Sequence, residues 1–91
     1  MLSWPNKSPS ENLDYSIDWS KILPRGDEIR TAVWSVPEGL KKGDTQLVGA
    51  TASVWIAGGK PNVVYMVNCR IKTVSGRVFD RSVRLVVSEG Q

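Results

Sequence analysis

Large apolar residues alternate with small or acidic ones along Leu13-Asp14-Tyr15-Ser16-Ile17-Asp18-Trp19. A strand turns half a revolution per residue, so Leu13, Tyr15, Ile17 and Trp19 share one face and Asp14, Ser16 and Asp18 the other. A helix would set Leu13 and Tyr15 about 200° apart and split the apolar set in two. The segment therefore reads as a half-buried β-strand. The same period recurs over residues 28–36, where Ala32, Trp34 and Val36 are in phase and Ile29 is not, which predicts a bulge near Arg30 and Thr31. It returns over residues 50–56, with Ala50, Ala52, Val54 and Ile56 facing the core and Trp55 outside.

The last two strands, expected at 63–73 and 78–87, test the turn between them by register. A two-residue loop, Ser75-Gly76, would oppose Ile71 to Asp80 and Val67 to Arg84. A three-residue loop with Gly76 in the left-handed conformation opposes Ile71 to Phe79, Val67 to Val83 and Tyr65 to Leu85. Only the second sets apolar on apolar and places glycine where glycine is easy. Elsewhere, Lys21-Ile22-Leu23-Pro24-Arg25-Gly26-Asp27 reads as a short turn with room for one helical turn. Residues 40–49 hold a turn signal, Lys42-Gly43-Asp44, and a short strand over 45–48. Residues 1–12 have two prolines, several small polar residues and no period, which predicts an extended arm with little structure of its own. The sandwich domain proper is expected at 13–88. Trp4 is unusual for such an arm; either it folds back on its own domain or it anchors on a neighbour.

Roughly six or seven short strands, punctuated by turns and with almost no helix, place the chain in the all-β class. The expected architecture is a small Ig-like antiparallel β-sandwich, preceded by the arm. It has no disulfide, because Cys69 is the chain's one cysteine and the Cys–Trp–Cys signature is absent. At 91 residues the core is marginal, and small domains without staples often gain stability by oligomerising or docking.

Composition narrows the chemistry. There is no histidine, which removes His-activated nucleophiles, the commonest general base and any plausible zinc cluster. Gly58-Gly59-Lys60-Pro61 lacks the spacing and following helix of a phosphate loop. Cys69 lies among apolar residues and reads as a small core side chain. Asp14 and Asp18 invite a glycosidase reading, but four residues of strand separate them by roughly 13 Å. Retaining and inverting pairs need about 5–5.5 and about 6.5–9.5 Å. They read instead as charges guarding the outer face of an edge or near-edge strand. No catalytic residue, metal site or cofactor is expected, and the chain is not expected to be an enzyme. The net charge of +3 is small and its basic residues are scattered, unlike a nucleic-acid stripe. No apolar leader or membrane-length run is visible, which predicts a soluble protein that does not depend on oxidation.

Several segments together resemble the fibre–tail adaptor family of small virion proteins of tailed bacteriophages. They begin with Trp4-Pro5, Lys7, Pro9 and Glu11, and run into Leu13-Asp14-Tyr15-Ser16-Ile17-Asp18-Trp19. Ile29 and Thr31-Ala32-Val33-Trp34-Ser35-Val36 follow, then Ala52-Ser53-Val54-Trp55-Ile56-Ala57-Gly58-Gly59 and the 65–87 region with Thr73 and Gly76-Arg77. Ser8 and Ser10 depart from the pattern, standing where acidic residues are expected, and Cys69 stands where a hydroxyl residue is more usual. The resemblance implies a structural connector at the phage tail or neck, made in the bacterial host cytoplasm and present in several copies in a symmetric assembly. It would join tail or neck to a fibre or to neighbouring virion proteins, with no membrane partner and no role for nucleic acid. The implied contact residues are Trp4, Pro5, Lys7, Pro9 and Trp55. The arm would cross an adjacent subunit, so that its removal blocks assembly while the sandwich stays folded. Two other readings stand beside this one. Trp55 near the 58–62 loop suits a carbohydrate-binding platform, and tryptophan with Arg/Lys on one sheet would suit single-stranded nucleic acid.

Overall fold

A computed structural model describes residues 2–88. Within them the alternating segments form β1 (Leu2–Ser3), β2 (Leu13–Asp18), β3 (Ile29–Ser35), β4 (Leu40–Val48), β5 (Thr51–Gly58), β6 (Val63–Thr73) and β7 (Val78–Val87). One sheet runs β1-β7-β6-β3 and the other β2-β5-β4. All pairings are antiparallel except that of the two-residue β1, which lies parallel to β7. The result is the all-β, Ig-like sandwich that the periodicity implies.

The core is the sum of the inward phases. Tyr15, Ile17 and Trp19 line up with Ala52, Val54 and Ile56 on one sheet. They pack against Trp34, the odd-numbered residues of β6 from Tyr65 to Ile71, and Val83, Leu85 and Val87 on the other. Asp14, Ser16 and Asp18 are exposed, on a strand that is indeed an edge. Cys69 is free and fully buried, and burial pushes its thiol up to about 11, so it is a protonated core side chain at neutral pH.

The β6–β7 hairpin adopts the register expected from apolar pairing: Ile71 opposes Phe79, Val67 opposes Val83 and Tyr65 opposes Leu85. Thr73 N–H donates to Arg77 O at 2.8 Å, which closes a three-residue loop, and Gly76 sits at φ +96°. The loop is clamped from outside. Asp27 accepts hydrogen bonds from Ser75 Oγ (2.7 Å), Ser75 N (3.3 Å) and Arg77 Nη1 (3.1 Å). The bulge predicted from the phase of Ile29 is present, as a register shift between Ile29 and Thr31.

Two local expectations change. Residues 40–48 are one nine-residue strand, not a turn followed by a short strand. Lys42-Gly43-Asp44 is a bulge in mid-strand, where the register against β5 shifts between Lys42 and Thr45. Turn and bulge draw on the same residues, because both need a local departure from the pleat. In the 21–27 turn no helix develops: the Ile22 and Leu23 amides both donate to Trp19 O, and Pro24 ends the turn.

Candidate docking surfaces

The arm is bound to its own domain. Leu2 and Ser3 pair with Val83 and Arg84, Trp4 N–H donates to Arg84 O (2.9 Å) and Lys7 N–H to Val86 O (3.1 Å). Ser88 N–H returns a bond to Lys7 O at 2.9 Å. Residues 2–7 thus run beside β7 and cover much of its free edge, which an exposed strand needs if it is not to recruit strangers.

Trp4 settles between the two options left open by the sequence. Its ring stacks on Tyr15 with centroids 4.7 Å apart and tilts on Trp34 at 5.9 Å. Its indole N–H donates to Ser16 O at 3.1 Å. Trp4 folds back and ties the arm to β2. Tyr15 beneath it is held up to about 12 by burial, with the Glu11 carboxylate adding to the shift.

Lys7 turns inward and is only 1% exposed. Its ammonium donates to Ser8 O and Gly58 O, both at 2.6 Å, so it links the arm to the end of β5. Burial lowers its pKa from the ordinary 10.5, and Glu11 opposes that shift. A lysine among prolines and serines reads as a solvated charge. Nothing local marks this one, because its second acceptor is 51 residues away. Of the other arm residues, Pro5 is exposed and Pro9 half-buried in a turn closed by Glu11 N–H on Ser8 O.

Trp55 stands apart from the arm's anchors, on the outer face of the β2-β5-β4 sheet and 43% exposed. Its cross-strand neighbour on β2 is Asp14, and on β4 the Gly43-Asp44 bulge lies opposite. A Cβ at position 43 would come within 3.1 Å of Trp55 Cβ, so glycine there lets the bulge lie close against the Trp55 backbone. Asp14, Lys42, Asp44, Gln46 and Ser53 frame an open depression of about 780 Å³ beside the ring. The basic strand residues Arg70, Lys72 and Arg84 lie on the outer face of the opposite sheet, with Arg70 bidentate to Asp80. Lys41 and Lys42 lie on β4, in the same sheet as Trp55. Among the described residues no group of three or more His, Cys, Asp or Glu is placed to hold a metal ion.

Two packed sheets, a buried tryptophan on each and no disulfide define an Ig-like β-sandwich. The solution structure of the PKD domain from KIAA 1837 protein shares it, with TM-score 0.64 over 98% of this chain and 85% of that one. At 17% identity the likeness is one of fold. Comparison with curated protein sequences yields no match. The model of the podophage GP4 fiber-tail adaptor protein gp77 family matches residues 7–86, and the chain belongs to that family of structural virion proteins. The match opens at Lys7, the residue that fastens the arm inside the fold.

Proposed function

We propose that this chain is a connector of the phage tail or neck, acting in several copies and joining the tail body to a fibre or to neighbouring virion proteins. It works by presenting surface, without covalent chemistry or a cofactor, after synthesis in the host cytoplasm. The observation that carries this reading is Trp55: a large aromatic on a rigid central strand, held half out of the sheet between two carboxylates. Aromatic anchors of this kind dominate the energetics of protein interfaces. The exposed Pro5 and the half-buried Pro9 extend the contact surface along the arm. Trp4 and Lys7 act one step back, by fixing where those prolines sit.

The test uses particles. Phage assembled with Trp55→Ala should lose fibres, counted by electron microscopy, while the isolated variant melts like wild type because Trp55 is outside the core. Full fibre occupancy on Trp55→Ala particles would remove Trp55 from the contact. Absence of the wild-type chain from purified tails would remove the connector role itself. The polar frame around Trp55 also suits a sugar ring stacked on the indole. A glycan screen with Trp55→Ala as control separates the two, since a connector gives no sugar-dependent signal.

A further inference from the structure

Between the edge strand β2 and the arm on β7 a groove of about 430 Å³ opens into the sandwich. Trp4, Ile17, Ile22 and Val83 give it an apolar lining, and Ser3 and Ser16 add polar walls. The β2 backbone along it has a defined phase. Trp19 N–H donates to Ala50 O on the β5 side, whereas Ser16 O accepts the Trp4 indole N–H on the other. Even-numbered positions of β2 therefore turn their amides and carbonyls away from β5. Asp18 shares the phase of Ser16 and offers its N–H and C=O to the groove. Trp4 closes the edge at Ser16, so the open stretch lies at the Asp18 end. Three charged side chains stand there: Asp18, Lys21 and Arg81. Asp18 Oδ1 already accepts Ser20 N–H at 2.9 Å. Arg81, in the inward phase of β7, lies over the Trp19 ring at 6.0 Å and donates to Asp80 O at 3.0 Å. The Asp80 carboxylate itself is held by Arg70. Among the described residues neither Lys21 nor Arg81 makes an ion pair, so two cations face one carboxylate.

We propose that this groove takes a short extended segment of another virion protein, one carrying a large apolar residue and, two positions away, an aspartate or glutamate. The segment adds to the free edge of β2 and pairs with the Asp18 amide and carbonyl. Residues two apart on a strand share a face. The apolar side chain therefore enters between Trp4, Ile22 and Val83, and the carboxylate on the same face meets Arg81 and Lys21. A basic segment would be repelled by the excess positive charge, and a neutral one would leave it uncompensated. A strand is the fitting shape because the open element is a strand edge and the groove is narrow, at the lower end of the roughly 300–1,000 Å³ of ligand pockets. The Trp4 indole on Ser16 O limits how far the added strand can run. The proposal rests on the connector reading for the source of the segment, and it assigns a second contact separate from Trp55.

An array of peptides Thr-Thr-X-Thr-Z-Thr-Thr, probed with the labelled full chain, tests it; X is Leu, Ile, Phe or Ala, and Z is Asp, Glu, Ser or Lys. Peptides with a large apolar X and an acidic Z should bind at least about tenfold more tightly than those with Ala at X or Lys at Z, and high salt should weaken them. The double variant Lys21→Glu with Arg81→Glu should stay folded, because both side chains are exposed, and should reverse the preference at Z to lysine. Amide NMR shifts on adding the tightest peptide should centre on Ser16, Asp18, Lys21 and Arg81. Absence of binding, an unchanged preference in the double variant, or shifts centred on Trp55 overturns the proposal. Tighter binding of a peptide copying residues 1–12 would make a second copy the occupant and overturn the partner named here. The connector reading fails on a different result, absence of the chain from purified tails, so the two are separable.

Discussion

Replacing Lys7 by methionine tests the inward placement of the arm. The substitution keeps the length and apolar stem of the side chain and removes its ammonium. Two charge-assisted bonds at 2.6 Å are lost, to Ser8 O and Gly58 O. Bonds to charged groups contribute about 1.5–3 kcal/mol each. The opposing term is the desolvation of the ammonium, which methionine avoids and which lowers the Lys7 pKa. Ser8 O also retains the Glu11 amide at 3.2 Å, so Gly58 O carries most of the loss. The net expectation is a destabilisation of about 2 kcal/mol, or a fall in Tm of roughly 8–16 °C for a domain of this size. Urea and thermal melts of the isolated chain measure it, with the urea slope unchanged. The pH dependence has a definite sign. The folded state releases the Lys7 proton below 10.5, before the unfolded chain does, so the wild type gains on Lys7→Met as the pH rises toward 10.5 and loses that gain as it falls. A Tm within about 2 °C of wild type would refute the internal role and return Lys7 to the surface, where it can only touch a partner.

Trp4→Ala should cost the isolated domain about 2 kcal/mol, from the lost stacking on Tyr15 and the lost bond to Ser16 O. An unchanged melt would mean that the tryptophan serves only a neighbour. Deleting residues 1–12 removes both anchors at once, so the truncated sandwich is expected to melt well below the full chain instead of staying as stable without its arm. Asp27 is held down to about 2 from 3.8, chiefly by the Ser75 hydroxyl. Its contribution is therefore complete above pH 3.8 and lost as the pH falls through 2, and acid titration of Asp27→Asn should show a shallower decline over that window than wild type. Gly76→Ala meets no atom within 4 Å, so its cost is conformational alone, about 1 kcal/mol from φ +96°. A shift in urea midpoint larger for Gly76→Ala than for Gly76→Asn checks it, and equal shifts would contradict a left-handed requirement.

What could be read without coordinates was local and periodic. The β6–β7 register followed from matching apolar to apolar across a short loop, and the β3 bulge from one residue out of phase. The β4 bulge is not legible in the same way, because Lys-Gly-Asp is equally good chemistry for a turn. Only the closeness of Trp55 Cβ and backbone on the neighbouring strand shows that Gly43 is there for close approach. Trp55 itself was legible as an outward aromatic, but its frame of Asp14 and Asp44 comes from two different strands.

The alternation of side chains determined by itself that the chain is all-β, which residues face inward on β2, β3, β5, β6 and β7, and that Cys69 is core. These follow from a period of two and from burial, which are properties of a strand wherever it lies. Tertiary structure alone decided the fate of the arm, since the acceptors of Trp4 and Lys7 are backbone carbonyls that every residue possesses and no pattern can mark. It also decided the division of charge between two outer faces. Seen along the chain the charges are scattered; the strand order gathers Asp14, Asp18 and Asp44 with Lys41 and Lys42 on one side, and Arg70, Lys72 and Arg84 with Asp80 on the other.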